Sequence, residues 1–470
     1  MFLLFSLCPL LLYQSAFQND TYWLINTGKY IVHHGFPNTE PFTIHQGLNF
    51  IVQQWLSTML FYQSYQMGGA AGVHILIIAT CTVILFLIYR LALQLAGGKK
   101  LIASYVTAFV GVCICSYMMP RPQVFSLLVF VTEILLLEWY VRDQRRRLPI
   151  IIGLPLLSAL LINLHAAMWP VLFLLYIPYF IDSFKFRIGR VEGQGYLKKP
   201  LIVGLLLSIL SGLANPYDFR AMTYLFNSYG NSVINGNVQE MFSPDFKSIS
   251  GLFIFGLVLA VVFIYFLVRG STRLRYALLT VGTLYMGLSS VRSFSLFIIF
   301  GPVFLSYYLK EVDLSLSMPA RRRAVLVSIS VLAMAFVRIS RIQNVGGFEE
   351  DYRPEAAVRY IKSNLDLSTI RLYNSYDTGG YIEFSGIRSF IDSRAEIFTR
   401  KLNGKEEIFR DYCDALTGKL YYSDLIAKYS FTHLLVNKEE LMSHCLQHDQ
   451  RFIVVFQDKK YLLYEKIAFS

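Results

Sequence analysis

Apolar runs of bilayer length recur along this chain, separated by short polar stretches. They lie near 1–17, 70–94, 101–118, 122–141, 148–163, 168–182, 200–214, 251–268, 275–290, 293–309 and 324–338. A helix needs about twenty apolar residues to span the hydrocarbon core, so the pattern predicts about eleven crossings, with room for one short re-entrant pair. Beyond about Arg341 the period changes. A helical stretch at Pro354–Leu365 leads to RLYN, YDTGGYIEF and SFIDSR. Two helical patterns, GKEEIFRDYCDAL and YYSDLIAKYS, then precede THLLV, RFIVVFQD and YLLYEK. Strands alternating with helices predict a small α/β domain of roughly 120 residues. The expected division is a multi-spanning α-helical membrane domain over 1–340 and a C-terminal α/β domain over 341–470.

Composition agrees with that reading. Of the 470 residues, 55% are hydrophobic and 16% charged, and the mean hydropathy is +0.47. A soluble domain of this size needs more polar surface, so most of the chain faces lipid. The net charge of +12 does not point to nucleic acid, because the basic residues fall between apolar runs and form no stripe. With the N-terminus inside, roughly eighteen Lys and Arg occupy the inner gaps and about five the outer ones. That bias predicts an N-in topology and an extracytoplasmic C-terminal domain. The first run lacks a basic flank and a small-residue cleavage site, so an uncleaved helix is expected there. Cys413 and Cys445, in the outer tail, are able to pair by sequence, while Cys8, Cys81, Cys113 and Cys115 lie in apolar runs.

By this topology Asp20, Glu40, Arg121, Asn163, His165, Asn215, Asp218, Glu240 and Arg292 all gather at the outer face. Polar groups from several loops converging at one face suggest a site, although outer loops are wet in any case. The first outer loop, 18–69, is long for a connection and so a candidate for function. Apolar stripes in Asp20–Val32 and Phe50–Tyr65 predict two amphipathic helices lying in the interface, anchored by Trp23 and Trp55. GFPNTEPFT, with two prolines, makes the turn between them. The structural reading of Asp20 is the N-cap of the first helix. His33, His34 and His45 have no metal-ligand spacing, and Asp377-Thr378-Gly379-Gly380 lacks the spacing and Lys of a phosphate loop. Glu133, inside an apolar run, receives no role.

The motifs QNDTYWLINTG, GFPNTEPFT, QQWLS, RPQVFSLL, NLHAAM, NPYDF, QEMFSPDF and YDTGGYIEF…FIDSRAEIF follow one another in order along nearly the whole chain. In that order the sequence resembles the bacterial polytopic glycosyltransferases of the GT-C fold, relatives of protein O-mannosyltransferases and lipid A aminoarabinose transferases. It departs from their pattern at Gln18 and Gln54, where they carry acids, at Leu24 in place of His, and at Glu40 in place of Asp. Loss of the paired acid leaves little case for a divalent metal, and no cofactor is implied.

The resemblance implies transfer of a sugar from a polyprenyl-phosphate donor to a cell-envelope acceptor (a glycan, lipid or protein) at a bacterial cytoplasmic membrane. It makes Asp20 the general base, with Glu40 as helper or base. Arg292, or Arg121, would receive the donor phosphate, for which a guanidinium fork is suited. Asn163, His165, Asn215, Glu240, Gln54 and Trp55 would line the substrate cavity. Competing readings are a transporter or lipid flippase, a polysaccharide polymerase or ligase, and a non-catalytic envelope-assembly protein.

Overall fold

A computed structural model describes residues 17–228, 230–267, 271–310 and 353–467. The expected crossing at 324–338, and all but the last residue of that at 1–17, lie outside them. The chain packs as two units. One runs through Ala71–Met222 and Val238–Phe348, the other through Ala16–Ala70, Thr223–Asn237 and Glu349–Ser470, each over its described residues.

The first unit is helical. Four helical stretches among the described residues are long and apolar enough to cross a membrane: Trp55–Leu95, Gln123–Arg142, Pro149–Asp182 and Val291–Leu309. Lys100–Ile114, Lys199–Ser211 and Gly251–Phe263 are apolar but shorter. The expected eleven spans are therefore not reached among these residues. The reason is length: a helix of 13 residues such as Lys199–Ser211 rises about 20 Å, against about 30 Å of hydrocarbon. The expected runs 148–163 and 168–182 correspond to two helices, Leu154–His165 and Trp169–Asp182, parted by non-helical backbone at His165 (φ −165°, ψ 78°) and a 3₁₀ turn, Ala166–Met168. Leu156, Leu206, Phe263 and Val281 are exposed on the outside of this unit, an arrangement that suits lipid and not water.

One charged cluster ties the helices. Arg275, 4% exposed, donates from Nε to Glu138 at 3.0 Å and from Nη1 to Asp182 at 2.7 Å, and Tyr179 donates to the same glutamate at 2.8 Å. Three helices, Gln123–Arg142, Trp169–Asp182 and Leu274–Ser289, thereby meet at one buried guanidinium. Its two carboxylate partners lie far away in sequence, and only packing reveals them. Close by, β1 (Phe186–Ile188), β2 (Val191–Gly193) and β3 (Thr272–Arg273) form a small sheet.

The second unit is built on a four-stranded sheet of order β4-β5-β7-β6. The strands are β4 (Leu372–Tyr373), β5 (His433–Asn437), β6 (Phe452–Gln457) and β7 (Tyr461–Lys466), with β4 and β5 parallel and the remainder antiparallel. Helix Glu355–Asn364 buries Ala357, Val358 and Ile361 against Leu372, Leu435 and Leu463. Because a parallel pair needs a crossover, the chain leaves the carboxyl end of β4 and wanders through 374–432 before β5. That crossover contains the YDTGGYIEF and FIDSRAEIF motifs. Cys413 and Cys445 are both free thiols.

The first loop packs into this unit. Helix Asn19–His34 buries Tyr22, Trp23, Leu24, Ile25 and Ile31. The Tyr22 ring meets Tyr381 edge-on at 5.1 Å and Phe384 at 5.4 Å. The stripe expected to lie on lipid is thus covered by protein, because a matching aromatic face comes from the crossover. The second expected helix begins only at Trp55, and non-helical backbone at Gly68 and Gly69 parts it from the helical stretch that runs on to Leu95. Residues 39–49 are stitched in by backbone bonds such as Ile44 N–H to Ser389 O, 2.8 Å. Gly379 and Gly380 are required by close approach. A Cβ on Gly379 would lie 2.0 Å from Ile391 O, and one on Gly380 would lie 2.5 Å from Asn19 O. Gly28 is constrained similarly, its Cβ falling 2.1 Å from Thr58 O. Replacing Gly28 with Ala is expected to cost about 1–3 kcal/mol of stability. Gly236→Ala, where a Cβ meets nothing within 4 Å, should be neutral or slightly stabilising. Thermal unfolding of both variants in detergent checks this.

Candidate functional site

Asp20 lies in the first turn of helix Asn19–His34, two residues past the N-cap, so the cap expected at Asp20 falls instead to Gln18, which makes no side-chain cap bond. The Asp20 Oδ1 accepts a hydrogen bond from Trp23 Nε1 at 3.2 Å and a short one from the Ser393 hydroxyl. The residue is partly buried.

Glu40 is placed differently. Its side chain is fully buried. Oε2 accepts from the amides of Phe42 (3.0 Å) and Thr43 (2.8 Å) and from the Thr43 hydroxyl (2.8 Å), which closes the turn after GFPNT. Oε1 receives Arg394 Nη2 at 3.2 Å. That arginine is the centre of the unit. It is 3% exposed and also meets Glu383 at 3.2 Å and, at short range, Asp392, both fully buried. The rings of Trp23, Phe42 and Phe50 surround it with centroids 5.3, 5.7 and 5.3 Å from the guanidinium carbon. The guanidinium fills the space between three carboxylates that a cation would otherwise occupy. Among the described residues no group of His, Cys, Asp and Glu is arranged to hold a metal ion.

Three carboxylates and one guanidinium in a dry setting cannot all stay charged. Burial first, and then the charge of Asp392, pushes the Glu383 carboxyl well above its ordinary value of 4.5. Burial also pushes on Asp392, but the attraction and hydrogen bonds of Arg394 outweigh it and hold Asp392 low. Burial opposes the charge on Arg394, and the surrounding carboxylates more than restore it. Folding therefore favours the protonated form of Glu383 and the ionised forms of Asp392 and Arg394. His45 adds a brace: its ring lies 2.8 Å from Phe390 O, and burial lowers its pKa to about 4, so it remains neutral.

The sequence reading had given no role to Glu383, Asp392, Ser393 or Arg394, although FIDSRAEIF was conspicuous. The available signal was charge in an apolar frame, where an acid and a base two apart cannot be buried without partners. Trp55 is half-buried and meets Phe36 edge-on at 5.3 Å. Gln54 is buried, and its Oε1 has no hydrogen-bond partner among the described residues, nor does that of Gln18.

The other predicted residues belong to the helical unit. Arg121 forms a short ion pair with Glu240. The Ser290 hydroxyl donates to Glu240 O at 2.9 Å, and Val291 N–H to Phe242 O at 3.0 Å, which draws the Glu240 turn against the turn carrying Arg292. Gln123 donates to Arg292 O (3.1 Å) and to the Ser295 hydroxyl (3.0 Å). Ser126, one turn further on the same helix face, bonds His165 Nδ1 at 2.8 Å. Arg121, Glu240, Arg292 and His165 are thus brought together around the start of helix Gln123–Arg142. The Arg292 guanidinium is partly exposed and makes no ion pair among the described residues. Asn163 and Asn215 bond main chain: Asn163 Nδ2 reaches Ala159 O and Ala214 O, each at 2.7 Å, and Asn215 Nδ2 reaches Gly212 O at 2.7 Å.

No known protein family matches the sequence, and no curated protein does. Solved structures do match in fold. The oligosaccharyltransferase of Archaeoglobus fulgidus, tethered to an acceptor peptide, aligns with 93% of this chain and 68% of its own at TM-score 0.61 and 9% identity. The same organism's AglB, in complex with an inhibitory peptide and dolichol-phosphate, aligns with 93% and 69% at TM-score 0.62 and 10% identity. ArnT from Cupriavidus metallidurans, bound to undecaprenyl phosphate, aligns with 99% and 97% at TM-score 0.55 and 11% identity. The chain has the GT-C fold of these membrane glycosyltransferases.

The cluster yields a stability prediction. A carboxyl whose pKa is raised by folding binds its proton more tightly when folded, so its contribution falls as pH rises above about 4.5. Glu383→Gln should remove that slope and gain relative stability toward alkaline pH. Arg394→Ala, which strands buried carboxylates, should cost about 3–5 kcal/mol. Unfolding temperature against pH tests both.

Proposed function

We propose that the protein is a GT-C-type glycosyltransferase, moving a sugar from a polyprenyl-phosphate donor to an acceptor of the bacterial cell envelope on the extracytoplasmic side. The observation that carries the reading is Asp20: a partly buried carboxylate fixed from two sides, on a chain with this fold. The acceptor hydroxyl gives its proton to Asp20 as its oxygen attacks the anomeric carbon, and the carbon–phosphate oxygen bond breaks. General bases of this kind contribute roughly 100- to 10,000-fold. Glu40, held by four hydrogen bonds and buried, serves the site by shaping the turn and balancing Arg394.

Arg292 takes the leaving phosphate, because its guanidinium is partly exposed and makes no ion pair among the described residues. Arg121, already paired with Glu240, is the secondary contact. His165 and Glu240 border the same place, while Asn163 and Asn215 hold the backbone that frames it. Fixed charge at a developing phosphate is commonly the largest single catalytic contribution.

Glu133 favours a second reading, a transporter, since both its carboxylate oxygens are buried in a membrane helix without a hydrogen bond among the described residues. Glu133→Gln should leave sugar transfer intact under the transferase reading, and loss of lipid-linked sugar movement in that variant would favour transport. The main test uses undecaprenyl phosphate carrying radiolabelled hexoses or aminopentoses, with envelope fractions as acceptor. Asp20→Asn should lose transfer by at least about 100-fold while folding normally. Arg292→Ala should weaken undecaprenyl-phosphate binding about tenfold or more, measured by titration in detergent. Full activity of Asp20→Asn would remove Asp20 as the base.

A further inference from the structure

We propose that Ser393 is a positioning residue for Asp20, so that the C-terminal crossover completes the catalytic site. The inference rests on the reading of Asp20 as the base. A carboxylate on the first turn of a helix swings among rotamers unless something outside the helix fixes it. Trp23, three residues on, supplies one donor from the same helix at 3.2 Å. Ser393, 373 positions away, bonds to it from the crossover.

The position of Ser393 is itself over-determined. Its carbonyl accepts the Tyr376 hydroxyl at 2.6 Å, and Asn19, next to Asp20, donates to Tyr376 O at 3.1 Å. The residue before it, Asp392, and the one after it, Arg394, are locked to each other: Arg394 N–H reaches Asp392 Oδ1 at 2.7 Å and Nε reaches it at 2.9 Å. Arg394 is in turn clamped by Glu383 and Glu40. Upstream, Asn374 bonds both Phe390 N–H and Ile391 O, each at 2.7 Å. The segment 389–394 has little freedom left, and its one hydroxyl turned toward the first helix lands on Asp20. Such a brace does not touch substrate. It fixes where the carboxylate oxygens point, and a misplaced base loses rate without losing donor affinity.

The test separates the two roles. Ser393→Ala should lower the turnover of undecaprenyl-phosphate-linked hexose about ten- to a hundredfold. Its affinity for undecaprenyl phosphate and its unfolding temperature should stay at wild-type values. Ser393→Thr, which keeps the hydroxyl, should recover most of the rate. Ser393→Cys, nearly the same size but a weaker donor, should fall between, and it replaces the alanine variant if that one does not fold. Wild-type turnover in Ser393→Ala or Ser393→Cys overturns the inference. So does a loss that Thr fails to restore, or one that appears equally in undecaprenyl-phosphate affinity. If instead Asp20→Asn is fully active, the function reading fails first, whatever Ser393 does.

Discussion

A guanidinium buried among three carboxylates and three aromatic rings is the constraint on which the second unit depends. Arg394 is too costly to bury alone, and each of Glu40, Glu383 and Asp392 is too costly to bury without it. Their mutual need brings three chain segments to one point: the turn after the first helix, the short helix Gly379–Phe384, and the loop that follows it. Once these meet, the apolar stripe of Asn19–His34 has a protein face to cover it, and Ser393 comes within reach of Asp20. The raised pKa of Glu383 lightens the negative charge that the cluster carries. The same segment that balances charge also orients the proposed base.

The helical unit uses the same device once more. Arg275 gathers Glu138 and Asp182 from two other helices, and tyrosines complete the hydrogen bonding. In lipid, where helices gain little from hydrophobic association, a hydrogen-bonded polar knot is an effective way to specify which helices meet. Around the start of Gln123–Arg142, Arg121 pairs with Glu240, and Gln123 and Ser126 hold the turn of Arg292 and the ring of His165. The partly exposed Arg292 guanidinium makes no ion pair among the described residues.

The departures from the family pattern acquire physical sense. Glu40 is one methylene longer than the aspartate it replaces, and its length lets one oxygen close the local turn while the other reaches Arg394. Gln18 and Gln54, in place of acids, keep further negative charge out of a unit that already buries three carboxylates.

The periodicity of the sequence by itself pointed to an apolar helical part and to most of the strands and helices of the tail. Hydrophobic spacing is a local property, and local properties are legible residue by residue. Asp20 was legible too, because an acid flanked by aromatics at the start of an amphipathic segment is conspicuous. What tertiary structure alone decided is which segments meet. The first loop joins the tail's unit because its apolar stripe finds Tyr381 and Phe384, more than 350 positions away. The partners of Asp20, Glu40 and Arg275 lie in distant segments for the same reason: burial of charge is settled pairwise in space, and no local pattern encodes the pair.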